Sequence, residues 1–176
     1  MTTNSSNRSK RAIRSELESA RSQFHALLNS LSADDVQRQS MNPGWTNREI
    51  LFHMAFAFML IPRLIFIVRL FGKLPDHYSR WFANLLNNST GFFNWINAFG
   101  ARGGGKISTR KGLGQKFDNT LNSILEVLDS IPDEEMKLGM HYPSKWDQLF
   151  SEYMTLEEIF YYPIRHFRFH IKQIAR

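Results

Sequence analysis

The residues best suited to chemistry in this chain are histidines. His166 and His170 stand four apart in His166-Phe-Arg-Phe-His170. On a helix, residues four apart lie one above the other on the same face. Two imidazoles so placed can hold one metal ion between them, or they can be two core residues. Ile159, Tyr162, Phe169 and Ile174 recur on the same stripe, so the pair is predicted to point inward. His53 is a third candidate, sharing a helical stripe with Ile50, Met54 and Ala57.

These side chains need helices to position them. The first helical segment carries the stripe Ile13, Leu17, Ala20, Phe24, Leu27, Leu28 and Leu31. The second opens at Thr46-Asn-Arg-Glu49, a capping box in which Thr accepts from the backbone three residues on and Glu reaches back. It runs to about Phe71. The third shows Leu113, Phe117, Leu121, Ile124, Leu125, Leu128 and Ile131 on one side. The fourth opens at Thr155-Leu-Glu-Glu158, a second capping box, and is predicted to run to the C-terminus. No strand-like alternation persists, so the predicted class is all-α.

A weak internal repeat accompanies these segments. Leu31-Ser-Ala-Asp-Asp-Val36 and Ile131-Pro-Asp-Glu-Glu-Met136 share one pattern, and each precedes a Thr-x-x-Glu-Ile cap. Two helix–loop–helix halves of similar geometry, or helix ends of similar chemistry, both account for it. Residues 72–108 separate the halves, with short helices predicted around Tyr78–Leu86 and Gly91–Phe99. A crossover this long lets the second and third helices run parallel, giving a four-helix bundle in up-down-down-up order.

The second and fourth helices are then antiparallel. His53 lies seven residues after its cap, about 10 Å into its helix at 1.5 Å per residue. His166 and His170 lie late in theirs. An early position on one antiparallel helix meets a late position on the other, so the topology brings the three together. Three neutral imidazoles are costly to bury unpaired, and one divalent cation satisfies them jointly. Three protein ligands leave positions open for water, a substrate oxygen or a thiolate. Zinc, nickel and iron(II) all suit imidazole, so the ligand type does not select the metal.

The run Asn42-Pro-Gly-Trp-Thr-Asn-Arg-Glu-Ile-Leu-Phe-His53 resembles the Trp-Thr-x-x-Glu-Ile-Leu-x-His element of the DinB-like superfamily. The ending His166-x-x-x-His170-x-x-Gln173 is similar to that family's closing helix. The resemblance implies a four-helix bundle with a long crossover and a divalent metal held by His53, His166 and His170. It implies a supporting or packing role for Gln173. It implies thiol-dependent chemistry, as an S-transferase or isomerase that uses a low-molecular-weight thiol; the open metal positions also admit a hydrolase in which water attacks a small substrate. The sequence departs from the family pattern at Pro163, which removes the N–H bond to Ile159 and should kink the helix before His166.

Composition sets the remaining bounds. The 176 residues, 43% hydrophobic and 22% charged, suit one globular domain, read as 11–176 behind a polar, disordered tail at 1–10. No cysteine is present, which removes disulfides, thiolate metal sites and a protein thiol nucleophile. Any thiol in the chemistry comes from a substrate. The net charge of +6 gathers in the first residues, the crossover and the C-terminus, without a nucleic-acid-binding signature. Nucleic acid is therefore not an expected partner. The loop Gly103-Gly-Gly-Lys106 lacks phosphate-loop spacing.

The apolar stretch from Ile50 to Phe71 is broken by His53, Pro62, Arg63 and Arg69, so it reads as a buried central helix. With a polar N-terminus lacking an apolar core, a cytoplasmic location is expected. The competing reading is a non-enzymatic interaction protein. It would use this helix and Phe92, Phe93, Trp95, Ile96 and Phe99 for a homodimer or, less favoured, a peripheral membrane contact. The expected enzyme partner is a small molecule, anionic or thiol-containing, with Arg165, Arg168 or Arg102 to hold an anionic group. Glu49 is assigned to its capping box and not to a base. Tyr162 either fills the core, the favoured reading, or donates a hydrogen bond to a metal-bound ligand. His25, His77 and His141 carry little weight.

Overall fold

The computed structural model describes residues 3–91, 103 and 109–176. The aromatic cluster Phe92–Phe99, the cationic residues Arg102 and Lys106 and most of the glycine-rich loop lie outside the described residues. The described chain is mainly helical. In order come α1 (Thr3–Ser30), α2 (Ala33–Gln37), α3 (Asn47–Phe71), α4 (Asp76–Asn87), α5 (Arg110–Ser130) and α6 (Leu156–His170). Short 3-10 turns occupy Asp133–Lys137 and Ile171–Gln173. Two three-residue strands, β1 (Gly139–His141) and β2 (Tyr153–Thr155), pair antiparallel. Strands this short fall below what alternation can reveal.

Local chemistry explains the boundaries. Thr46 Oγ1 accepts from the Glu49 N–H while Glu49 accepts from the Thr46 N–H, closing the capping box at the start of α3. Thr155 and Glu158 repeat this at α6. Thr109 caps α5 without a returning carboxylate. Both helices containing proline, α3 with Pro62 and α6 with Pro163, continue through it. Helix α6 gives way to a 3-10 turn after His170, six residues short of the predicted C-terminal end. Helix α1 begins at Thr3, inside the segment read as a tail. Ser9 Oγ donates to Glu157 Oε1 (2.7 Å) and Lys10 Nζ pairs with Asp133 Oδ1 (2.8 Å), which ties these two residues to the body.

The two acidic turns are separate elements and not helix ends. Ser32 caps α2 with its own box, and Pro132 precedes the second turn. The internal repeat is visible in the backbone. The Asn47 N–H donates to Arg38 O (2.9 Å), and the Leu156 N–H donates to Leu138 O (2.8 Å). In each half, the residue after the capping threonine bonds to the carbonyl that follows the acidic turn. Gln39 bridges Thr46, as Gly139 pairs with Thr155.

Contacts between the long helices fix their relative directions. Helix α1 runs against α5, pairing Arg14 with Asp129 (2.5 Å) and His25 Nε2 with Asp118 Oδ1 (2.8 Å). It runs alongside α6, where Ser9 meets Glu157 and Arg168 meets Glu16. Helix α3 packs on both α5 and α6. The core joins all four: Phe117 stacks on Phe24 (ring centroids 4.2 Å) and meets Phe58 edge-on (4.8 Å), while Phe24 reaches Phe167 (6.3 Å). Such aromatic packing contributes beyond area burial, about 0.5–1.5 kcal/mol per pair. Helix α3 is long and apolar enough to cross a membrane, yet half of its most apolar window is buried inside the protein.

Candidate metal centre

The three histidines singled out by spacing converge. His53 on α3 and His166 and His170 on α6 are all buried, at 7%, 4% and 8% exposure. Ring centroids stand 4.7 Å apart for His53–His166, 4.7 Å for His53–His170 and 4.4 Å for His166–His170. One nitrogen from each lies within 4.8 Å of the others. Trp45, the residue before the α3 cap, meets the His53 ring edge-on at 4.9 Å.

A cluster of this kind must remain uncharged. Burial pushes the His53 pKa down to about 3, and the neighbouring His170 adds to the effect. Burial, then His53 and His170, hold His166 well below the ordinary imidazole range. Burial also lowers His170, against opposing effects of Gln173 and Asp147. Neutral imidazole is the form that donates a lone pair to a metal.

The neighbours of the cluster prepare it. Gln173 Oε1 lies 2.8 Å from His170 Nδ1. An amide oxygen only accepts, so this contact puts the proton on Nδ1 and leaves Nε2 with a free lone pair. The supporting role implied for Gln173 thus has a geometry. By contrast, His53 Nδ1 and His166 Nδ1 are buried with no hydrogen-bond partner. Buried polar atoms without partners are rare and need an explanation. A cation shared by the rings answers it for a nitrogen turned to the centre, and the donor set, three neutral imidazoles, suits a divalent ion. The residues present therefore fit such a group.

A model of the DinB superfamily matches residues 16–174. The chain belongs to the DinB superfamily. The match takes in the C-terminal half of α1, all of α3, α5 and α6 and the three histidines, so the resemblance carried by the Trp45–His53 and His166–Gln173 runs extends through most of this DinB chain. No curated protein and no solved structure matches it.

One residue beside the cluster of this DinB protein, and one that ties its two helices together, are not marked in the sequence. Asp147 lies in the loop between β1 and β2. Its Oδ2 stands 4.0 Å from His166 Nε2 and accepts a hydrogen bond from the Tyr162 hydroxyl (2.7 Å). Nothing in the local sequence marks it, because the loop returns to the site only through the strand pair. Tyr162 is accordingly both a core ring, packed on Phe150 at 4.6 Å, and a donor to Asp147. Burial and the Asp147 carboxylate raise its pKa, keeping it a donor. Asn47 is the second. It is fully buried, and its Nδ2 donates to Asp35 O (2.8 Å) and Ala175 O (2.6 Å). The Ala175 N–H returns a bond to Asn47 Oδ1 (3.0 Å).

The remaining candidates fall elsewhere. Glu49 is the capping carboxylate. Arg168 is committed to Glu16 on α1, and Arg165 is exposed. Phe169 is also exposed, at 38%, and not on the inward stripe. His25 pairs with Asp118, His77 packs on Tyr78 (4.2 Å) and His141 on Tyr153 (5.4 Å).

Proposed function

We propose that the protein binds one divalent metal ion through His53, His166 and His170 and acts as a metal-dependent enzyme on a small molecule. The observation that carries this is the convergence of three buried imidazoles, two of which have an unpartnered buried nitrogen. The reading sets the four long helices in an up-down-down-up bundle. The antiparallel α1–α5 pairing and the parallel α1–α6 pairing support that order. The buried face of α3 supports its reading as a core helix; we place the protein in the cytoplasm.

When bound, the ion supplies Lewis acidity that activates water or a low-molecular-weight thiol. The chain supplies the rest. Gln173 Oε1 keeps the His170 proton on Nδ1. Asp147 Oδ2, held by the Tyr162 hydroxyl, stands beside His166 and takes the proton given up by the nucleophile. The half-buried ring of Trp45 and the buried ring of Tyr162 shield the cluster from bulk water. Hydrolase and S-transferase chemistry both use this arrangement. Zinc, nickel and iron(II) are all compatible with the donor set.

Elemental analysis of purified protein tests the reading. Wild type should carry one divalent ion per chain and His166→Ala should lose it. Protein without metal, whose melting temperature does not rise when metal is added, would overturn the proposal.

A second reading has its own observation. Phe66 and Leu70 on α3 are 68% and 50% exposed, and Trp81 and Leu85 on α4 are 67% and 52% exposed. Exposed apolar patches mark interaction surfaces. The reading is a contact with a second copy of the chain. Sedimentation should show a dimer that Trp81→Glu dissociates. A monomer at all concentrations rejects it, and a monomer that binds anionic vesicles moves the face to a membrane.

A further inference from the structure

Beside the metal centre lies a second cavity of about 270 Å³ between α3, α4, the β1–β2 loop and α6. Leu64, Phe82, Trp146, Phe150 and Tyr162 contribute to its walls, and no charged residue does among the described residues. The Trp146 indole N–H is committed to Leu86 O (2.7 Å), and the Tyr162 hydroxyl to Asp147. Among the described lining residues, Tyr142 carries a polar group without a partner. Tyr142 is 5% exposed, and its hydroxyl is buried without a hydrogen-bond partner. A buried hydroxyl left unpaired is costly, so a partner is expected in the functional state. A run of packed rings lies between the cavity and the histidines. Tyr142 packs on Phe150 (5.3 Å), Phe150 on Tyr162 (4.6 Å), and Tyr162 on His166 (5.7 Å).

We propose that this cavity seats the apolar body of the substrate. The ligand is a neutral small molecule with an aromatic or short alkyl body and one acceptor oxygen. That oxygen accepts a hydrogen bond from the Tyr142 hydroxyl, and the reacting end points past Tyr162 towards His53, His166 and His170. The size fits: apolar cavities of roughly 150 Å³ take up benzene, so this one holds a larger body. No described wall residue offers a charge to pair with an anionic group, and a buried unpaired charge is prohibitive, so this part of the ligand is uncharged. The orientation towards the histidines rests on the metal-centre reading; the binding does not.

Calorimetric titration with butyrophenone and with butylbenzene, the same body without the carbonyl, tests it. The ketone should bind wild type saturably. Tyr142→Phe, which keeps the ring, should weaken the ketone about five- to tenfold and leave butylbenzene unchanged. Leu64→Trp, which fills the cavity, should weaken both more than tenfold. No saturable binding, or a ketone affinity unmoved by Tyr142→Phe, overturns the proposal. Metal content is measured on the same samples. Protein that binds the ketone but neither carries metal nor gains melting temperature when metal is added sinks the metal reading and supports the cavity; metal-loaded protein that ignores the ketone does the reverse. In cobalt(II)-loaded protein the bound ketone should relax faster than in zinc-loaded protein. Equal relaxation overturns the orientation.

Discussion

The side chain of Asn47 pairs with both backbone polar groups of Ala175, accepting from its N–H at 3.0 Å and donating to its carbonyl at 2.6 Å. Asn47 is the first residue of α3, and Ala175 lies just past the turn that follows α6. A further bond runs from the Met41 N–H to Gln173 O (2.8 Å). The two helices that carry the histidines are thereby clasped at the end where the histidines meet. Asn47 lies six positions before His53 and Ala175 five after His170, so the clasp sets the relation between the two helices.

Asn47→Ala should therefore destabilise the fold and loosen the site together. Removing a fully buried amide breaks the Ala175 pair and the bond to Asp35. The expected loss is about 2–4 kcal/mol, at roughly 1 kcal/mol per bond plus the cost of backbone groups left unpaired. Urea denaturation measures it. Metal titration at a temperature where the variant is folded should show weaker binding. A variant as stable as wild type refutes the clasp.

Gln173→Leu should act on the metal and hardly on the fold. Without an acceptor at Nδ1, His170 loses the contact that fixes its tautomer and ring orientation. Losing such a partner typically weakens metal binding about 10- to 100-fold. Competition with a chromophoric chelator reads this directly, and Gln173→Glu, which keeps an acceptor, should restore most of the affinity. Equal affinities in all three proteins would assign Gln173 to packing alone.

Acid should destabilise the metal-free protein through the histidine cluster. The unfolded chain takes up protons near 6.5, whereas folded His53 resists them down to about 3. His166 and His170 are lowered too. Between these limits the unfolded state binds more protons, so stability is complete above 6.5 and is lost as pH falls towards 3. The slope approaches about 1.4 kcal/mol per pH unit for each histidine so held. Melting curves across pH 4–8 (approximately) should show a steep decline in wild type and a shallower one in His53→Ala. Parallel curves would mean that the histidine is not the source.

Phe117→Ala should be the most damaging change in the core. Its ring touches Phe24 of α1 and Phe58 of α3 and is fully buried. Truncation of such a ring costs about 3–5 kcal/mol through lost burial and the cavity left behind. Chemical denaturation should give a value in that range, and one below about 1 kcal/mol would contradict the packing described.

Much was legible from the residues alone. The apolar stripes placed the four long helices, because a helix that buries one face must repeat its apolar residues near a 3.6-residue period. The two Thr-x-x-Glu boxes marked the starts of α3 and α6, since capping is satisfied within four residues of chain. The i, i+4 spacing put His166 and His170 together for the same local reason. His53 could be added only by assuming an antiparallel arrangement, which the long crossover made natural.

What the sequence determined by itself was therefore local: helical content, caps, inward faces and a histidine pair suited to metal. Tertiary structure alone decided the rest. It brought Asp147 to His166 across the strand pair, bound Asn47 to Ala175, and left the Tyr142 hydroxyl unpartnered beside an apolar cavity. Each of these joins residues distant in the chain or depends on what fails to meet. No periodicity encodes such relations, because they arise only when separate elements are packed and every buried polar group has to find a partner or go without.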